Sequence, residues 1–101
     1  MNTSKVFTLY IGLNDKDTKK QIISTSKAKQ LVARICGDCT ISNAIGHYTH
    51  EDGQKVTEKS LRVELFCKAD NQVKSYCKQL KRILNQESIA INTQVVQTTF
   101  I

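Results

Sequence analysis

The 101 residues predict an α+β sandwich of order βαββαβ: a four-stranded antiparallel sheet with two helices on one face. Three observations carry this: two apolar stripes at helical spacing, alternating strand segments around them, and one strong hairpin signal at Glu51-Asp52-Gly53.

Lys5 to Leu13 opens the pattern, with Phe7, Leu9, Ile11 and Leu13 on one side and Val6, Thr8 and Tyr10 on the other. Side chains alternate across a strand, so this is a strand with a fully apolar inward face. A polar loop follows, Asn14 to Lys20. Ser24, Thr25 and Ser26 are candidate N-caps, and Ala28, Leu31, Val32 and Ile35 then form a helical stripe that Gly37 ends.

Thr40 to His50 and Gln54 to Lys68 read as two long strands. A two-residue Asp52-Gly53 turn would set Ala44 beside Leu61. A three-residue turn with Gly53 left-handed sets Ile41 beside Val63 and Cys39 beside Leu65, and the apolar match favours it. Strands this long predict a hairpin tip that overhangs the body.

Asp70 is the expected N-cap of the second helix, with Val73, Tyr76, Cys77, Leu80, Ile83 and Leu84 as its stripe and Lys81 and Arg82 in its last turn. Ser88 to Ile101 is the last strand, and a phase shift between Ile91 and Phe100 suggests a bulge. Right-handed crossovers then make the first and third strands central, the ferredoxin-like arrangement with a long hairpin between the second and third strands. The expectation is one domain over residues 1–101.

Leu9-Tyr10-Ile11-Gly12-Leu13, Ala44-Ile45-Gly46-His47-Tyr48, Glu58-Lys59-Ser60-Leu61 and Asn85-Gln86-Glu87-Ser88 occur in an order that resembles a group of small bacterial proteins of uncharacterised function. Such proteins are found on conjugative elements and phages of Gram-positive bacteria. The resemblance covers nearly the whole chain. It implies a ferredoxin-like fold and a mobile-element setting, and brings no activity or catalytic residue with it.

Several function classes lack support in the sequence. It contains no glycine-rich phosphate loop, no nucleophile elbow and no Ser/His/Asp or Cys/His constellation. No apolar run is long enough to span a bilayer, and Met1 to Lys5 lacks the features of a secretory leader, so the expected setting is cytoplasmic and free of membrane. Cys36 and Cys39 have C-x-x-C spacing, but Cys67 and Cys77 do not form a second zinc pair. A helix C-terminus is also the wrong end for an activated thiol. Cys39, Cys67 and Cys77 each continue a core-facing stripe, so the cysteines read as small buried hydrophobes. His47 and His50 point to opposite strand faces. Asp15 and Asp17 could bracket a cation, although three neighbouring lysines oppose one. No metal or cofactor is expected.

Two surfaces remain as candidates. The outer sheet face carries Tyr10, Phe66, Tyr48 and Arg62; aromatics there could stack bases, as in RNA-recognition domains. Ser60 to Phe66 lacks the signature of those domains, and Glu64 adds a negative charge. Burial of the aromatics by sheet-to-sheet dimerisation or by the hairpin is therefore favoured over RNA. The helical face carries Lys74, Lys78, Lys81 and Arg82, part of a net charge of +6.

The resulting expectation is a non-enzymatic module acting through protein contacts or self-association, mobile-element encoded and modulating a host protein or defence system. The alternatives are a nucleic-acid binder using the basic helices, or a small enzyme or ligand-binding domain of the dimeric ferredoxin-like kind. For the last, a polar residue buried on the sheet, such as Asn43, is the place to look.

Overall fold

A computed structural model describes residues 3–101. Met1 and Asn2, part of the segment examined for a leader, lie outside the described residues. The chain runs β1 (Thr3–Gly12), α1 (Thr25–Cys36), β2 (Thr40–Thr49), β3 (Lys55–Phe66), α2 (Asp70–Ile83) and β4 (Ala90–Gln97). Sheet order is β2-β3-β1-β4, and every pairing is antiparallel. This is the expected ferredoxin-like topology, with the two most apolar alternating strands at its centre.

The core lies between sheet and helices. Phe7, Leu9 and Ile11 of β1 stand opposite Leu65, Val63 and Leu61 of β3, and all six are buried. Ala28, Val32 and Cys36 of α1 and Val73, Cys77 and Leu80 of α2 close over them, with Leu84 just beyond. Ser24 caps α1 by accepting the Lys27 N–H at 3.1 Å, and Gly37 leaves the helix at φ 70°.

Gly53 is left-handed at φ 86°. The His50 N–H donates to the Gln54 carbonyl at 2.8 Å, which closes a three-residue loop. Ile41 pairs with Val63, the register that the apolar match favours. Beyond the Gly12–Ser60 pair β3 has no further partner in β1, so residues 55–59 and their β2 partners extend past the four-stranded part of the sheet, with the β1–α1 and α2–β4 loops beside their base. At about 3.3 Å per residue this overhang is roughly 17 Å long, in a molecule 47 Å along its longest axis.

Four expectations need correction. Asp70 is not the N-cap of α2. Ala69 holds that position, its N–H bonded to the Gln72 side chain at 2.8 Å, while Asp70 pairs with Lys5 at 3.1 Å. Asp70 still sits in the first turn, where its charge suits the helix dipole. The β4 bulge is absent: Thr3–Gln97 through Tyr10–Ala90 form an uninterrupted ladder, and the strand ends at Gln97, before the out-of-phase Phe100. Cys67 does not continue a core stripe; it is exposed, at φ 56°, where the chain turns from β3 to α2. Asn43 is exposed on the edge strand rather than buried on the sheet.

Cys36 and Cys77 are buried and Cys39 half-buried. Burial, with smaller contributions from nearby Cys39 and Cys77, pushes the Cys36 thiol up to about 12. A thiol so reluctant to ionise is a core side chain rather than a nucleophile.

Candidate functional site

The outer face of the sheet carries Thr8, Tyr10 and Gly12 of β1, Ala44, Gly46 and Tyr48 of β2, and Glu58, Ser60, Arg62 and Glu64 of β3. Where the overhang leaves the body, this face sinks into a pocket of about 460 Å³. Its floor is the Glu58 carboxylate. Tyr10 and Tyr48 stand around it, and Gln86, Glu87 and Ser88 from the α2–β4 loop line its rim.

Gly12 makes room for that carboxylate, and Gly46 for the neighbouring Ser60 hydroxyl. A β-carbon at Gly12 would come within 2.3 Å of Glu58 Oε1, and one at Gly46 within 3.0 Å of Ser60 Oγ and 3.9 Å of Glu58 Cγ. Neither glycine has a left-handed backbone, so space is what these positions require. Glu58 pairs across the ladder with Gly46 and reaches back over Gly12. The Asn14 N–H donates to Glu58 Oε2 at 2.9 Å and fixes one of its oxygens.

Tyr48 is held above its ordinary pKa, first by partial burial and then by the charges of Glu58 and Glu87, so the phenol keeps its proton at neutral pH. Its ring meets His50 edge-on at 5.3 Å between centroids. Arg62 stands opposite Tyr10 in the register. Hydrogen bonds to Tyr10 and then to Glu64 raise its pKa further, and its contact with Glu64 is 2.6 Å. Glu64 is thereby neutralised on the face where the sequence left it as a free negative charge.

The rim is fixed from below. Gln86 is only 7% exposed. Its side-chain amide donates to the Asn14 carbonyl at 2.7 Å and the Leu84 carbonyl at 3.3 Å. Asn85 donates to Asp15 at 2.8 Å and Asp17 at 2.9 Å. Asn85, with backbone donors at Thr18 and Asp17, keeps the Asp15 carboxyl below its ordinary value. The two aspartates, read in the sequence as a weak cation site that three lysines oppose, hold an amide between them and so join the β1–α1 and α2–β4 loops.

Of the residues proposed from sequence, Tyr10 (42% exposed) and Tyr48 line the pocket, with Arg62 beside Tyr10. Phe66, 39% exposed, pairs with Val6 towards the other end of the sheet, away from the pocket. Lys74, Lys78, Lys81 and Arg82 are exposed on α2, in the opposite layer. His47 and His50 diverge as expected: His47 meets Thr57 at 3.2 Å, and His50 joins Tyr48. Sequence reasoning did not single out Glu58, Gly12, Gly46 or Glu87 as site residues. An isolated glycine within a strand often marks a close approach, and that signal was available at both positions.

No protein-family model matches the chain, and no curated protein matches it. Among solved structures it resembles a phage SAM lyase in its apo state (TM-score 0.75, 21% identity, 92% of this chain and 81% of that one). It also resembles a phage SAM lyase in complex with S-methyl-5'-thioadenosine (0.69, 23% identity, 90% and 80%). CutA from Synechococcus elongatus superposes at 0.59 with 10% identity over 95% of this chain and 79% of that one. These identities speak to the fold. The neighbours nonetheless include an enzyme of phage origin, and that finding overturns the expectation of a non-enzymatic protein-contact module.

Proposed function

We propose that this protein binds S-adenosylmethionine (SAM) in the Glu58 pocket and cleaves it as a lyase, releasing S-methyl-5'-thioadenosine. One observation carries the reading: Leu9–Leu13, Ala44–Tyr48, Glu58–Leu61 and Asn85–Ser88, far apart in sequence, contribute Gly12, Gly46, Glu58 and Glu87 to a single pocket. Two aromatic rings and two carboxylates suit an adenosyl sulfonium, because rings offer stacking surface and, like carboxylates, attract a cation. The likeness to the phage SAM lyases supports the same ligand.

The reaction needs little from the protein beyond placement. The bond between the sulfonium sulfur and Cγ of the amino-acid chain breaks, and its electron pair stays on sulfur to give the neutral thioether. The chain's own carboxylate oxygen forms the replacing bond at Cγ and closes a five-membered lactone. Neither water nor a proton acceptor is consumed. Since positive charge on sulfur fades along this path, a carboxylate beside it favours the bound substrate over the transition state. Glu58 therefore serves recognition and placement. Tyr10, steadied by Arg62, and Tyr48 form the walls.

Wild-type protein incubated with SAM should release S-methyl-5'-thioadenosine, read by chromatography. Glu58→Gln should weaken SAM binding and raise KM at least tenfold without lowering kcat, the size of one lost charge-assisted contact at about 1.5–3 kcal/mol. Folded wild-type protein that neither binds nor cleaves SAM would overturn the reading.

Self-association belongs to the same proposal. The pocket opens on an outer sheet face that leaves Tyr10 and Phe66 42% and 39% exposed, and a second copy packed there would cover them. Light scattering should give a mass above that of one chain; a monomer at assay concentration would remove this part. A cytoplasmic setting agrees with four free cysteines. No helix among the described residues is long and apolar enough to cross a membrane.

A further inference from the structure

A second groove, of about 300 Å³, adjoins the first and shares Tyr48, His50, Gln86 and Glu87 with it. Its character differs. Lys16 and Lys19 of the β1–α1 loop face Lys55 at the base of the hairpin tip. The one aspartate in its lining, Asp15, already has both oxygens engaged: Oδ1 by the Asn85 amide, Oδ2 by the N–H groups of Asp17 and Thr18.

The loop that presents the two lysines is held rather than loose. The Lys16 N–H donates to the Asn85 carbonyl at 3.0 Å, and the Lys19 N–H to the Asp15 carbonyl at 2.8 Å. Lys19 is kept at φ 64°, a left-handed conformation that a lysine adopts only when its surroundings impose it. Along the joined grooves the lining therefore passes from aromatic (Tyr10) through acidic (Glu58, Glu87) to basic (Lys16, Lys19, Lys55).

We infer that the basic groove receives the amino-acid carboxylate of the ligand, so that the adenosine lies at the Tyr10 end and the tail lies among Lys16, Lys19 and Lys55. This rests on the SAM reading above and adds the direction of the ligand and the residues that recognise its tail. The charge order of the lining matches that of the molecule: a neutral nucleoside, a sulfonium, then an α-amino acid whose ammonium suits Glu87, which lines both grooves, and whose carboxylate suits the lysines. Charge-assisted hydrogen bonds from ammonium groups suit a carboxylate, and nothing in S-methyl-5'-thioadenosine would engage them.

The test compares two stable probes by titration calorimetry. S-adenosylhomocysteine has the tail; S-methyl-5'-thioadenosine lacks it. In the Lys16→Ala, Lys55→Ala double variant, affinity for S-adenosylhomocysteine should fall roughly tenfold, the scale of two partly exposed charge contacts. Affinity for S-methyl-5'-thioadenosine should stay within a factor of two. Wild-type binding of S-adenosylhomocysteine should also weaken with salt, and the double variant should lose most of that dependence. Equal losses for both probes, or no loss for either, would overturn the tail assignment while leaving the nucleoside pocket intact. Wild-type protein that binds neither probe would overturn the SAM reading and the tail assignment together.

Discussion

Gly12→Ala should leave the fold standing and raise the KM for SAM at least tenfold, as losing the Glu58 contact would. The two halves of this outcome have separate causes. The backbone at Gly12 is not left-handed, so alanine meets no conformational penalty there. What it meets is Glu58 Oε1, 2.3 Å from the new β-carbon. A carboxylate at the end of a flexible side chain can swing away at little cost to stability. In doing so it gives up the Asn14 N–H and leaves the pocket floor to a methyl group. The melting temperature should stay within a few degrees of wild type. A variant that keeps the wild-type KM would show that the position of Glu58 does not matter; one that fails to fold would show that Gly12 serves the sheet instead.

Leu61→Ala should cost about 3 kcal/mol, in the range for a fully buried leucine, and lower the melting temperature by roughly 15 °C in a chain of this size. Leu61 lies on central strand β3 between Ile11 of β1 and Asn43 of β2, with no exposed surface. Its neighbours are held by two flanking strands and the helical layer, so the cavity cannot readily collapse. Urea unfolding should show a shifted midpoint with an unchanged slope. A loss below about 1 kcal/mol would mean that the core is packed more loosely around β3 than the structure shows.

The fold was legible because period and pattern agree along most of the chain. Phe7, Leu9 and Ile11 alternate, Val73, Cys77, Leu80 and Leu84 recur at helical spacing, and Gly53 fixes a hairpin whose register the Ile41–Val63 match decides. Errors fell where a tertiary contact outweighs local preference. Asp70 looks like a cap until Lys5 is seen opposite it, and Gln72 reaches back to Ala69 instead. The phase change in β4 looks like a bulge until the strand is seen to end at Gln97, short of Phe100.

The site was legible only in part. Alternation alone points Tyr10 and Tyr48 outward. Glu58 is harder to find, because on its own it is one more glutamate on a polar hairpin. It becomes distinct when the antiparallel register sets Gly46 across from it and brings Gly12 beneath its carboxylate, and neither contact is local in sequence. The rim depends on Gln86 and Asn85 bonding the loop near Asn14, a docking that composition cannot reveal. The functional expectation erred for a related reason. The aromatics on the open face were read as a contact patch, whereas Tyr10 and Tyr48 stand around a carboxylate-floored pocket.

The central claim is that one nucleoside pocket is built from four distant segments, and the amide spectrum of the protein tests it most directly. Titration of isotope-labelled protein with S-methyl-5'-thioadenosine should move the backbone amides of Tyr10, Gly12, Gly46, Tyr48, Glu58 and Glu87 together, on one binding curve, while those of Lys74, Lys78 and Lys81 on α2 stay in place. Shifts confined to the helical layer, or no saturable shift in any of the four segments, would contradict it.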